Sequence, residues 1–262
     1  MNLSHIKQRA SLLLYYGVGI LGLREDDVIL TSYPKSGNTW IRFFLCNLIS
    51  LREWDGKTVT FSILNETMPE LGVSNLLREW PHGTIPRFVK THKKYWPLVF
   101  DSNRSVLLVR DPRDVMVSYY KYKTGRGDID GSVKFSNFIR KPRVGLESWC
   151  IHYKSWKDKS DVIVYYEDIK SNDVKEFLNM LSSLRISVED SLIKEAARRS
   201  QFKEIRKIEK EFGTGEKGSD FKGRRKFTRK GGTGGWKKYF KKRDISYYQN
   251  ILKKYSIKIY RR

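Results

Sequence analysis

The fold class this sequence predicts is α/β: a single domain with a central, mostly parallel sheet flanked by helices. Three observations carry that expectation. Short, near-continuous apolar runs, such as residues 27–32 (DVILTS) and 104–110 (RSVLLVR), have the length of strands covered on both faces. Longer segments with helical patterning alternate with them. The first run also leads through a tight polar loop directly into an apolar helix, a phosphate-binding strand-loop-helix arrangement. The 262 residues, 39% hydrophobic and 13% aromatic, supply a core for one large domain or two small ones, and no internal repeat divides them.

Taken in order, residues 11–23 form the most apolar run, preceded by Lys7 and Arg9. The run falls short of the ~18–20 residues a bilayer span needs. No small-residue cleavage site follows it, and the first strand begins a few residues later. A packed N-terminal helix within residues 1–26 is expected, and membrane association is not. Residues 27–32 read as the first strand and 40–49 as a buried helix. Residues 51–86 read as short helices and loops, 87–92 and 104–110 as the second and third strands. Asp111 is a good N-cap and Pro112 fits the first turn of the helix that follows. A Gly- and Asp-rich loop is expected at 123–131, helices at 133–140 and 146–157, and a fourth strand at 161–166. Further helices are expected at 171–184, 188–205 and around 243–254. Between 206 and 235 the composition turns to Gly, Lys and Arg, which alone reads as a basic linker.

The loop at 31–40 (TSYPKSGNTW) holds one Pro, one Gly and several small polar residues. N–H groups at a helix start have no intrahelical partner, and the helix dipole adds partial positive charge there. Lys35 adds a full charge, and Ser36, Asn38 and Thr39 supply side-chain donors. This is not the G-x-x-x-x-G-K-[ST] phosphate loop: there is one glycine, and the lysine precedes it. Taken alone, the loop fits a polar strand-to-helix turn as well as an anion cradle. The net charge of +23 demands an anionic partner of some kind: nucleic acid, membrane surface, nucleotide or acidic polymer. Cys46 and Cys150 do not make a disulfide framework, so a reducing, cytoplasmic setting is expected. The four histidines are scattered, and no metal is expected.

Five further segments bear on function. In 109–120 (VRDPRDVMVSYY) a strand ends on Arg110, and Ser118 lies two helical turns on; the two meet one phosphate only if the loop folds back. Lys90, Thr91 and His92 close the second strand, at the carboxyl end where open α/β sheets bind ligands. A lone histidine is more often structural than catalytic. Tyr165 to Asp168 (YYED) close the fourth strand, and Ser200-Gln201-Phe202 and 227–237 (FTRKGGTGGWK) follow.

Together these segments resemble the signatures of the cytosolic-type sulfotransferases, which use 3′-phosphoadenosine 5′-phosphosulfate (PAPS) as sulfuryl donor. The resemblance covers about residues 27 to 240. It implies that Lys35, Ser36, Gly37, Asn38, Thr39 and Trp40 bind the 5′-phosphosulfate end. Arg110 and Ser118 would hold the 3′-phosphate. Tyr166, Ser200 and Phe202 would contact the nucleoside, with Trp40 and Tyr166 flanking adenine. Arg229, Lys230 and Gly231 would close over the 3′-phosphate, making 206–236 a basic, Gly-rich nucleotide-capping loop that orders on donor binding. His92 would be the general base, with Lys35 on the bridging oxygen and Lys90 near a sulfuryl oxygen. The product would be adenosine 3′,5′-bisphosphate. Two places depart from the family: Lys93-Lys94-Tyr95-Trp96 replaces the usual Leu-Pro continuation, and Gly235 stands where an acidic or amide residue is usual.

The acceptor would be a hydroxyl or amine of a small molecule or glycan. The basic excess in 203–262 reads either as a solvated surface or as a match for an anionic acceptor. Two other readings compete: a nucleotide kinase-like phosphate-loop enzyme, which the loop does not fit, and a basic nucleic-acid-binding protein, which leaves the ordered motifs unused. A nucleic-acid partner is therefore not expected.

Overall fold

The structure is a computed structural model that describes Gly17, residues 19–214 and residues 231–259. Four parallel strands, β1 (Val28–Ser32), β2 (Phe88–Thr91), β3 (Arg104–Val109) and β4 (Val162–Tyr165), form one sheet in the order β2-β1-β3-β4. β1 pairs with β2 on one side and β3 on the other, and its five residues are all buried. Successive side chains of a strand point to opposite faces. Val28, Leu30, Val106 and Leu108 therefore enter one core, and Ile29, Val89, Leu107 and Val109 enter the other. The first core is closed by α1 (Asn38–Glu53), whose Ile41, Phe44, Leu45 and Leu48 are buried. The second is closed by Trp149 and Trp156 of the helix at Leu146–Lys157 and by Val115 and Met116 of the helix at Pro112–Gly125.

The strand order reverses around β1, so the carboxyl ends of β1 and β3 open a crevice between their following loops. At the opposite end the sheet is fastened by a buried ion pair. Both Asp27 oxygens accept from Arg87 at 2.7 Å, and the remaining Arg87 nitrogen bonds the Leu76 carbonyl at 2.7 Å.

Several helices differ from the sequence expectation. The segment read as one helix over 188–205 is two, Asp190–Arg199 and Phe202–Phe212, because Gln201 adopts an extended conformation and the Ser200 hydroxyl turns back onto the Ala196 carbonyl. The second of these runs into the stretch read as a linker. Its Phe202, Ile205, Ile208 and Phe212 recur at helical spacing amid charged residues, and Ile205 is buried. The helix expected at 133–140 shrinks to Phe135–Phe138. A short helix, Phe61–Thr67, forms α2, its Thr60 side chain accepting from the Ile63 N–H. Of the expected N-terminal helix, residues 1–16 and 18 lie outside the described residues, as do residues 215–230 of the proposed capping loop.

Candidate active site

The loop after β1 is shaped by two residues in the left-handed region, Lys35 at φ 71° and Gly37 at φ 108°. Gly37 is required for a second reason: a Cβ there would lie 2.5 Å from the Tyr166 ring. α1 starts at Gly37 without a side-chain cap and without an acidic residue in its first turn. Its first N–H groups therefore open into the crevice uncompensated. The Ser36 hydroxyl and the Trp40 indole nitrogen are buried there without a hydrogen-bond partner. Asn38 donates to the Ser32 hydroxyl at 3.3 Å, tying the helix start to β1. The Lys35 ammonium lies 4.3 Å from the centre of the Tyr122 ring.

Arg110 leaves β3 toward the same loop. Its Nη1 donates to the Lys35 carbonyl at 3.4 Å and its Nη2 to the Gly232 carbonyl at 2.8 Å, while Nε is buried without a partner. Its guanidinium lies 4.1 Å from the centre of the Tyr166 ring, and the Tyr166 hydroxyl donates to the Gly231 carbonyl at 2.9 Å. The Gly-rich segment is strapped down by Asp114, whose two oxygens accept from the Gly234 and Trp236 N–H groups at 2.7 and 2.9 Å. Arg113 stacks on Trp236 at 3.8 Å while paired with Asp111 at 2.6 Å. Gly231, at φ 56°, packs so closely on Phe202 that a Cβ would lie 2.4 Å from the ring.

At the end of β2, His92 Nδ1 sits 2.7 Å from the Ser32 carbonyl. A carbonyl only accepts, so Nδ1 carries the proton and Nε2 is the basic nitrogen of the neutral ring. Burial first, then the Lys90 ammonium, pushes this imidazole down to about 4, against the Ser32 carbonyl and Glu70. It is neutral at pH 7. Lys90 pairs with Glu70 at 2.7 Å. Burial pushes the Glu70 carboxyl up most strongly, but the charge and hydrogen bond of Lys90, with His92 and Arg42 adding to them, hold the group below the ordinary carboxylate range. Glu70 reaches this place because its segment bridges β2: the Leu71 N–H donates to the Lys90 carbonyl at 2.9 Å, and the Lys90 N–H to the Pro69 carbonyl at 2.8 Å. Behind His92, the buried His152 lies 3.4 Å from the Thr31 hydroxyl, and burial followed by the nearby His92 pushes it down to about 3.

One cavity of about 480 Å³ is lined by residues from all of these elements, among them Lys35, Thr39, Lys90, His92, Arg110, Ser118 and Gly231. The model of the sulfotransferase-domain family matches residues 25–258. The chain belongs to that family.

Relatives at lower similarity agree. The chain is 28% identical to sulfotransferase 1E1 of Bos taurus over 265 aligned positions, covering 90% of this chain and 87% of that protein. It is 27% identical to sulfotransferase 1B1 of Canis lupus familiaris, covering 83% and 79%. Among solved structures, mouse sulfotransferase SULT7A1 complexed with PAP superposes with a TM-score of 0.64 at 23% identity, covering 91% of this chain and 87% of that one. Retinol dehydratase in a complex with retinol and PAP gives 0.69 at 18%, covering 94% and 86%. These two share the fold.

In this sulfotransferase, most of the residues expected from sequence converge. Lys35, Gly37, Asn38, Thr39, Trp40, Lys90, His92, Arg110, Ser118, Tyr166, Phe202 and Gly231 all line the cavity. Arg110 and Ser118 line the same cavity, although no loop folds back between them: the helix at Pro112–Gly125 starts directly after Asp111. Ser36 lies beneath the loop, and Ser200 is buried against its own helix. Arg229 and Lys230 lie outside the described residues. Trp40 and Tyr166 pack edge to face at 5.7 Å and 74°, so they do not form a parallel pair of plates. Reading the sequence missed Glu70, Arg42, Tyr119 and Tyr122, which also line the cavity, and Asp114, whose place in the RDPRD run is its only signal. Among the described residues no group of three metal-binding side chains gathers, and no helix is long and apolar enough to cross a membrane.

Proposed function

We propose that this sulfotransferase moves the sulfuryl group of PAPS to a hydroxyl or amine of a small-molecule or glycan acceptor, with His92 as general base. The observation that carries the reading is the meeting of the Lys35 loop, Arg110 and His92 on one cavity, with Arg110 in hydrogen-bond distance of the Lys35 carbonyl. The uncapped start of α1 and Lys35 suit the 5′-phosphosulfate. Arg110, Ser118 and the Gly231 backbone suit the 3′-phosphate, and the buried donors without partners fit an anion held between them. The PAP bound in the two structural relatives supports the same kind of nucleotide here.

In this reading the acceptor oxygen or nitrogen attacks sulfur in line with the bridging oxygen. The acceptor's proton passes to His92 Nε2, the new bond to sulfur forms, and the bond to the bridging oxygen breaks, leaving adenosine 3′,5′-bisphosphate. Lys35 offsets charge on the departing oxygen, and Lys90, steadied by Glu70, faces the transferred group. The two cysteines are buried and free, which fits a reducing, cytoplasmic setting.

Transfer of labelled sulfuryl from PAPS to a panel of phenols, alcohols, amines and glycans tests this. Wild type is expected to label at least one class. Lys35→Ala and His92→Ala are expected to lose on the order of 100-fold in kcat with the fold retained. Full activity in His92→Ala, or no transfer to any class, contradicts the reading.

A further inference from the structure

We infer that Arg42 reads an anionic group on the acceptor, so that the acceptor class is a hydroxyl- or amine-bearing molecule that also carries a carboxylate, sulfate or phosphate. The inference deepens the sulfotransferase reading and rests on it. It begins with a guanidinium that the protein does not satisfy.

Arg42 is 7% exposed and lines the cavity from α1. Only one of its three nitrogens is used. Nη2 donates to the carbonyls of Met68 at 2.7 Å and Leu64 at 3.3 Å and to Asn65 Oδ1 at 3.4 Å, all neutral acceptors. Nε is buried without a partner. The neighbouring carboxylate, Glu70, is taken up by Lys90 at 2.7 Å. Burial disfavours the charged form of Arg42, and Glu70 opposes that effect without pairing with it. A desolvated cation with unmet donors is a costly thing for a fold to keep unless something else answers it. An anion entering the cavity is such a partner, and the fork of a guanidinium suits a planar or tetrahedral oxyanion.

Its position fits an acceptor-end contact. Residues four apart on a helix share a face, with Cβ atoms roughly 5–6 Å apart. Asn38 and Arg42 have that spacing. Asn38 donates to the Ser32 hydroxyl, and the carbonyl of that same Ser32 orients His92. Arg42 therefore stands one turn beyond Asn38 on α1 and lines the same cavity as His92. Phe61 and Leu64 of α2 provide an apolar wall beside it. The overall charge of +23 draws anions toward the molecule in the same sense.

The competing role is a structural one: Arg42 capping the carboxyl end of α2 through Leu64 and Met68. That role uses Nη2 alone and makes no distinction between acceptors. The discriminating experiment compares para-hydroxybenzoate with its methyl ester, which differ by one negative charge. For wild type the ratio of kcat/KM, acid over ester, is expected to be about tenfold or more. It should fall by about tenfold in Arg42→Gln and be partly kept in Arg42→Lys, which retains charge without the fork. Binding of the same pair to the complex with adenosine 3′,5′-bisphosphate, followed by calorimetry, should show the same preference whether or not either compound turns over.

Equal kcat/KM and equal binding of acid and ester by wild type overturn the inference. So does a ratio that Arg42→Gln and Arg42→Lys leave unchanged. If one variant fails to fold, the other and the wild-type preference still decide. Failure of the enzyme to bind adenosine 3′,5′-bisphosphate at all instead removes the sulfotransferase reading beneath it, a result distinct from loss of acid selectivity.

Discussion

Arg87 and Arg42 are both buried guanidiniums, 4% and 7% exposed, and the protein holds them in opposite ways. Every nitrogen of Arg87 is answered. Asp27 accepts from two of them, and the carbonyls of Gly22 and Leu76 complete the set at 2.7 Å each. Arg42 has neutral partners for one nitrogen and none for Nε. Arg110, at the donor end of the cavity, resembles Arg42: two carbonyls, an aromatic face and a buried Nε without a partner. A cation that the fold neutralises completely belongs to the scaffold. Cations left partly unanswered on a cavity wall suit the anionic ligands proposed above.

The sharpest way to break this contrast is Asp27→Asn. It leaves Arg87 buried without its charge partner, and a loss of about 3–5 kcal/mol in stability is expected from chemical denaturation. The folded fraction should keep its acceptor preference. A loss under about 1 kcal/mol would place Arg87 outside the scaffold role.

The same contrast extends, with smaller effects, to the two histidines at the end of the sheet. His152 is 3% exposed and packed behind the site, whereas His92 lines the cavity. Both are pushed below the ordinary 6.5, to about 3 and about 4. A depressed folded value means that the neutral ring contributes stability fully above 6.5, and that this is lost as pH falls through the folded value. Below 6.5 each histidine should therefore cost on the order of 1 kcal/mol per pH unit. Urea denaturation at pH 7 and 5.5 measures the slope, and His152→Gln should reduce it. The readout for His92, the proposed general base, is catalytic. The acid limb of kcat/KM should lie near 4, because the free enzyme keeps this base neutral down to that pH. A limb at 6.5 contradicts the assigned environment.

The proposed donor end of the site was legible in the sequence because its parts are local. The loop around Lys35 and the run from Arg110 to Ser118 each carry their own turn, helix start and charge within about ten residues. Strand boundaries were legible for a similar reason, since buried parallel strands are short apolar runs. The proposed acceptor end is assembled by tertiary placement. Glu70 joins it through one isolated bridge to Lys90, from a segment with weak patterning. Arg42 reads in sequence as one polar residue in an apolar helix, and only the crossing of α2 buries it. The helix at Phe202–Phe212 was hidden by charge: its apolar stripe is narrow and its remaining positions are mostly Lys, Arg and Glu.

In the proposed function, one pocket grasps both ends of a bisphosphorylated adenosine. Calorimetric titration of adenosine 3′,5′-bisphosphate into wild type and Arg110→Ala, with ATP as the comparison ligand, tests it most directly. One molecule per chain should bind wild type in preference to ATP, and Arg110→Ala should weaken it by about tenfold or more. Binding of ATP as tight as that of the bisphosphate, or bisphosphate affinity unchanged in Arg110→Ala, would contradict the claim.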